Sequence, residues 1–397
     1  MSSIKFVYDA SLAEYELSDS HPFKPVRLEL TRTLLRELGL LEDRHIEAVK
    51  PLEPGLLRHV HDGDYVNAVK AVSQGRQVDG QLRYGLGTSD NPIFPNMHRA
   101  IKQVCAATVT AMDLVASGKV QRALSLAGGL HHAHAAQASG FCLYNDLAVG
   151  IEHVTRKYGL RVAYVDIDAH HGDGVQGLFY DRGDVLTFSI HESGRYLFPG
   201  TGNTFELGKG DGRGCSVNMP LEPFTEDDSY LTCLRDVLPK ALDVFKPDMI
   251  LLQAGADMHR RDPLADLALT VQGMAASYQF ISELADDVCE GRLVATGGGG
   301  YDPFHAVPRA WAALWAVLSR QDLSENLPAS WLEDWHARSP HPLPKQLSDN
   351  INQWQAISQR DTINKHNAAV VRRLLTTLDP IWEEQAQERN NPSSAVS

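Results

Sequence analysis

Five short, continuous apolar runs constrain the fold of this chain most: Ala123–Ala127, Val162–Ile167, Val185–His191, Met249–Gln253 and Leu293–Thr296. Each is too short for an ordinary helix and too uniformly apolar to keep one face wet. Runs of this kind suit strands buried on both sides, as in a parallel sheet. Amphipathic segments separate them. Arg27–Leu38 places Leu28, Leu34, Leu35 and Leu38 on one helical face and stops at Gly39. His98–Ser117 does the same with Ile101, Val104, Cys105, Met112 and Val115, and Gly118 closes it. The alternation predicts an α/β protein, a three-layer α/β/α single domain around a mostly parallel central sheet.

Strand signals stop near residue 320, so the main domain is expected over residues 1–320. A helical extension should follow over 321–386, including a helix at Asp361–Thr377, with a tail lacking fixed structure over 387–397. The glycine-rich stretch Gly208–Gly214 is not placed between a strand and a helix and reads as a surface loop rather than a phosphate cradle. A formal net charge of -13 argues against nucleic acid as a partner. The five cysteines are scattered without a CxxC pair, which indicates neither a disulfide framework nor a thiolate metal site. The first residues lack the pattern of a signal peptide, and no apolar run approaches the length that spans a bilayer. A cytoplasmic protein without membrane contact is expected. Whether it forms a homo-oligomer is left open.

In open α/β sheets, ligands bind beyond the carboxyl ends of the strands. The run VAYVDIDAHHGDG delivers Asp166, Asp168 and His170 at a spacing of two, which puts them on one side while the chain stays extended. Such a group is costly to bury without a cation. Three other runs end in reactive residues: LSLAGGLHHAH in His131 and His132, MILLQAGAD in Asp257, and LVATGGGGY in Tyr301. Two carboxylates and an imidazole suit zinc with a position left for water, although ferrous iron or cobalt would accept the same set.

These motifs resemble the histone deacetylase family, within the arginase/deacetylase fold. The matching strings are HPFKPVR (21–27), GGLHHAHAAQASGFC (128–142), VDIDAHHGDGV (165–175), FPGTG (198–202), GAD (255–257) and GGGGY (297–301). The likeness is greatest to bacterial class I-like members of the acetoin-utilisation type. It implies a zinc-dependent amidohydrolase that takes acyl groups from lysine in proteins or peptides. It also implies Asp168, His170 and Asp257 as Zn2+ ligands, Asp166 orienting His131, Asp173 orienting His132, and Tyr301 facing the substrate carbonyl. Gly140, Phe141 and Phe198 would line a tunnel for the lysine stem, with Leu197 beside its mouth, and Asp90 would hold the substrate backbone. K+ would sit at Asp166, Asp168, His170, Ser189 and Ile190, and a second ion at Phe179, Arg182 and Val185. Arg182 replaces the small hydroxyl residue often found there, and Leu143–Tyr144 inverts the common order at the tunnel floor.

Three rival readings stay open. An acetylpolyamine deacetylase of the same superfamily would have the same centre. The polyamine-selective eukaryotic relative has a glutamate where this chain has Leu264, which favours a peptide substrate. An arginase-type ureohydrolase needs a carboxylate where His259 stands. A non-catalytic relative would be expected to have lost one of these groups.

Overall fold

The five apolar runs become strands, and three further strands join them in the computed structural model, which describes residues 4–390. In chain order the strands are β1 (Ile4–Val7), β2 (Ile46–Glu47), β3 (Arg122–Ser125), β4 (Val162–Asp166), β5 (Val185–Glu192), β6 (Ser216–Leu221), β7 (Met249–Gln253) and β8 (Leu293–Thr296). They form one sheet in the order β2-β1-β3-β8-β7-β4-β5-β6, and every pairing is parallel. The three strands not anticipated carry weak signals for clear reasons. β2 has two residues, β1 has four, and β6 interrupts its apolar pattern with Asn218 and Pro220. Proline is tolerated there because β6 is an edge strand.

The major helices are α1 (Val26–Glu37), α2 (Gly63–Ser73), α3 (Met97–Ala116), α4 (Asp146–Tyr158), α5 (Asp173–Phe179), α6 (Asp227–Phe245), α7 (Val271–Cys289), α8 (Val307–Ser319), α9 (Ala329–His336) and α10 (Arg360–Asn390). Local chemistry sets several of their ends. Asn145 caps α4 by accepting from the Ala148 N–H at 3.0 Å, and Gly159 ends that helix in a left-handed conformation. Thr270 caps α7 in the same way through Gly273. Helices α3 and α4 pack on each other, while α6, α7, α8 and α1 pack in succession. Between them the central strands are buried throughout.

The strand order fixes the site. β3, β8, β7 and β4 are adjacent, so the four reactive runs end side by side at one sheet edge.

Residues beyond 320 are tied to the rest of the chain. Trp331 of α9 is fully buried and donates its indole N–H to the Leu30 carbonyl of α1 at 3.1 Å. Asp349 accepts from Arg309 of α8 at 2.8 Å and from the Val271 N–H of α7 at 2.8 Å. Helix α10 is longer than expected and passes through Pro380, because Leu378, Ile381 and Trp382 extend its buried face. The tail expected to lack structure from residue 387 is therefore helical to Asn390, and residues 391–397 lie outside the described residues. Gly208–Gly214 is a loop containing one short 3-10 turn.

Replacing Trp331 with alanine should lower unfolding stability by about 3–5 kcal/mol, the usual cost of emptying a large buried aromatic site. A chemical denaturation midpoint unchanged from the parent protein would contradict this packing role.

Candidate metal centre and active site

Asp168, His170 and Asp257 are all buried, and their ligand atoms lie within 4.8 Å of one another. The route to this arrangement differs from simple alternation along a strand. β4 ends at Asp166, and the next residues bend. The Asp168 N–H donates to Asp166 at 3.0 Å and the His170 N–H donates to Asp168 at 3.0 Å, two successive turns closed by aspartate side chains. His170 Nδ1 then faces Asp168 Oδ1 at 3.2 Å and Asp257 Oδ2 at 3.0 Å.

Two carboxylates held this close in a dry place repel each other. Burial and the Asp168 charge push Asp257 upward. Burial opposes ionisation of Asp168 as well, but His131 and His170 hold it well below the ordinary carboxylate range. Burial also opposes charge on His170, yet its bonds to both carboxylates raise it well above an ordinary histidine. One proton on one ring nitrogen thus serves two carboxylates, whereas a divalent cation would satisfy all three donors at once. The donor set fits such an ion, and among the described residues it is the one cluster of its kind.

Neighbouring groups hold the trio in place. Gln253, the last residue of β7, donates to Asp168 at 2.7 Å, and the Gly299 N–H donates to the same oxygen at 2.8 Å. A Cβ on Gly299 would run into both Asp257 and Asp168, so the backbone passes too close for any other residue. The Ala169 N–H donates to Asp257 at 3.0 Å. His259, two residues beyond Asp257, is buried and turned to Asp349 at 2.9 Å. It supplies no second carboxylate for a dinuclear centre.

The two histidines beside the trio differ in state. His131 Nδ1 lies 2.8 Å from Asp166, which also accepts the Tyr164 hydroxyl at 2.5 Å. Burial pulls the His131 pKa down, but Asp166 and Asp168 outweigh it and hold it at about 9. His132 Nδ1 lies 2.7 Å from Asp173. Burial and the His131 charge lower its pKa to about 4 despite that carboxylate. One imidazole is therefore charged and the other neutral at neutral pH, with Nε2 of the neutral one free to take a proton. Both rings sit on a loop held by Asp146, which accepts from the Gly129 and Leu130 N–H groups and from Thr108.

Aromatic rings enclose the approach. Phe198, His132, His170, Tyr301 and Phe141 follow one another in edge contact, with centroid separations of 4.9, 5.9, 6.4 and 5.8 Å. Gly140 has φ +49°, and a Cβ there would strike the His132 ring and Phe198. Burial, with the Asp257 and Asp168 charges, raises the Tyr301 phenol well above its usual range, so it stays a proton donor. Its backbone N–H is fixed by Asp262 at 2.7 Å, and Arg27 donates to the Gly298 and Gly300 carbonyls just before it.

Known proteins share this chain's sequence and fold. A family model described as the histone deacetylase domain matches residues 21–318. The chain belongs to the histone deacetylase family. Acetoin utilization protein AcuC of Bacillus subtilis (strain 168) is 42% identical over 371 residues, covering 93% of this chain and 96% of that protein. Its namesake in Staphylococcus aureus (strain MRSA252) is 39% identical, covering 92% and 95%. A crystal structure of a histone deacetylase homologue from Aquifex aeolicus superimposes with a TM-score of 0.81 at 29% identity, covering 92% of this chain and 99% of that one. A homologue complexed with SAHA gives 0.82 at 30% identity, covering 93% and 100%.

Other residues singled out in the sequence fall in four places. Leu264 is 37% exposed, and its N–H donates to Asp262, the carboxylate that also holds Tyr301. Asp90 is exposed beside Ser89. Ser189 is the register partner of Asp166, so of the residues expected around the first K+, Asp166 on β4 and Ser189 and Ile190 on β5 lie on neighbouring strands, and Asp168 and His170 lie in the bend after β4. Phe179 ends α5, Arg182 lies in the turn after it and Val185 opens β5; Arg182 is paired with Asp184 and Glu152. Tyr164, Asp146, Gln253 and Asp262 were missed. Gln253 and Tyr164 had a signal, as polar groups in otherwise apolar strands; Asp146 opens α4 and Asp262 sits in a loop, and the work of neither is marked by periodicity.

Replacing Asp257 with asparagine should abolish binding of one zinc equivalent per chain, read by elemental analysis, while the circular dichroism spectrum stays native. Zinc should raise the melting temperature of the parent protein but not of the variant. Equal zinc retention by both proteins would contradict the ligand assignment.

Proposed function

We propose that this chain hydrolyses the amide of N-acyl-lysine, acetyl-lysine foremost, in proteins or peptides. The observation that carries the reading is the convergence of the Asp168, His170 and Asp257 trio, a charged and a neutral imidazole, and the Tyr301 phenol at the base of an aromatic-walled approach. Zinc is the ion proposed for the trio; when bound it polarises the carbonyl and makes a water acidic enough to act near neutral pH. The reading extends to K+ held by main-chain oxygens around Asp166 and Ser189 and around Phe179, Arg182 and Val185. A cytoplasmic setting agrees with Cys105, Cys142, Cys233 and Cys289, which are buried without a disulfide. Among the described residues no helix is long and apolar enough to cross a membrane.

The chain's own residues divide the work. Phe141 and Phe198 hold the apolar stem of the lysine and keep bulk water from the reacting carbonyl. His132, neutral and anchored through Nδ1 by Asp173, takes the proton of the attacking water at Nε2. The same nitrogen then protonates the leaving amine, which would otherwise depart as a poor leaving group. His131, kept charged by Asp166, lowers the energy of negative charge building nearby. The Tyr301 hydroxyl donates to the oxyanion that forms as water adds to the carbonyl. Leu264 at the rim offers no charge to a distant ammonium, which supports a peptide substrate over an acetylpolyamine.

Zinc-loaded protein should hydrolyse an acetyl-lysine peptide with a higher kcat/KM than acetylspermidine, and the reverse order would replace the reading with the polyamine one. Replacing Tyr301 with phenylalanine should cut kcat by about 10²–10³ at normal zinc content, the usual effect of losing an oxyanion donor. Near-normal turnover of that variant would overturn the role given to the phenol.

A further inference from the structure

The loop that carries Phe198 also lines, through Arg195 and Tyr196, a groove of about 530 Å³ formed against α10. Its walls include Arg195, Tyr196 and Phe205 from the loop side, Glu222 just after β6, and His366 and Arg373 from α10. Two features set it apart. First, Tyr196 is 58% exposed and Phe205 is 73% exposed, an unusual amount of bare aromatic surface for one loop. Second, the groove is basic on a chain whose formal net charge is -13. Its carboxylate, Glu222, is already taken by Arg195 at 2.6 Å. On α10, His366 and Arg373 line the groove, Lys365 and Arg372 are exposed next to them outside its lining, and none of the four has an ion-pair partner among the described residues. From Ile363 to Leu378 that helix carries no acidic residue at all.

We propose that this groove is a docking site for protein substrates, taking an acidic segment that also carries an apolar or aromatic side chain. The inference rests on the acyl-lysine reading above and deepens it. Tyr196 and Phe198 are two residues apart, so their Cα atoms lie within about 7 Å. An extended peptide advances about 3.3–3.6 Å per residue. A peptide whose lysine stem lies against Phe198 thus has Tyr196 within about two residues' length, and an acidic residue farther along it is the group proposed to meet Arg373, which shares the groove with Tyr196. The unpaired Arg373, with the neighbouring exposed charges of α10, attracts such a segment, and Tyr196 and Phe205 cover its apolar side chain. A small cationic amide gains nothing from this basic island. The groove thus selects long acidic substrates without touching the reacting groups.

The test uses the zinc-loaded full chain and three probes: an end-blocked acetyl-lysine, and two peptides of equal length with glutamate or glutamine at the third to fifth positions on either side of the acetyl-lysine. The glutamate peptide should have a KM about five-fold or more below that of the glutamine peptide, as expected for two exposed ion pairs, and 0.5 M salt should erase the difference. The double variant Arg372→Glu/Arg373→Glu should lose or invert the preference while hydrolysing the end-blocked probe at the parent rate. Equal KM values for the two peptides in the parent protein, or a preference unchanged in the variant, would overturn the proposal. If no acyl-lysine probe is hydrolysed, fluorescence anisotropy of the same peptides makes the comparison by binding, so failure of the reaction and failure of the docking site give different results.

Discussion

The structure depends on one electrostatic constraint: Asp168 and Asp257 are buried beside each other and aimed at the same point as His170. Two buried carboxylates a few ångströms apart cannot both stay charged without a cation or a proton to share. Much of the surrounding structure serves that pair. Gln253 and the Gly299 N–H hold Asp168, the Ala169 N–H holds Asp257, and the glycines are bare because the backbone passes against the carboxylates. Preorganised donors of this kind keep the ligands in place whether or not an ion is present.

The second consequence is asymmetry between two adjacent imidazoles. His131 shares its environment with Asp166 and Asp168, whereas His132 shares its with Asp173 and with the charge on His131. Identical side chains in consecutive positions are thereby driven to opposite protonation states. That difference is what general base chemistry beside a fixed positive charge requires. The aromatic rings add the remaining condition, an apolar wall beside which these charges act at short range.

How much of this was legible in the sequence follows from where signals arise. β4, β7 and β8 were readable because strands buried on both faces must be apolar throughout, and the reactive residues stood out where those runs stop. Their convergence was readable only as a coincidence of four endings, since the order that makes β3, β8, β7 and β4 neighbours is a property of the assembled sheet. β1, β2 and β6 were not readable: β1 and β2 are short, and β6, at the sheet edge, tolerates an interruption that a central strand does not. The geometry of Asp168 and His170 was anticipated as strand alternation but arises from aspartate-closed turns beyond the strand. Asp262 and Asp146 were invisible because a residue that works by accepting backbone N–H groups needs no periodicity. The length of α10 was underestimated because Pro380 reads as a stop, while Leu378, Ile381 and Trp382 keep the helix packed past it.

The most direct test of the central claim is anomalous diffraction at the zinc edge from a crystal of the zinc-loaded protein. The account predicts a single strong peak within bonding distance of Asp168, His170 and Asp257. Absence of a peak there, or a second peak beside it near His259, would contradict the mononuclear centre on which the whole assignment stands.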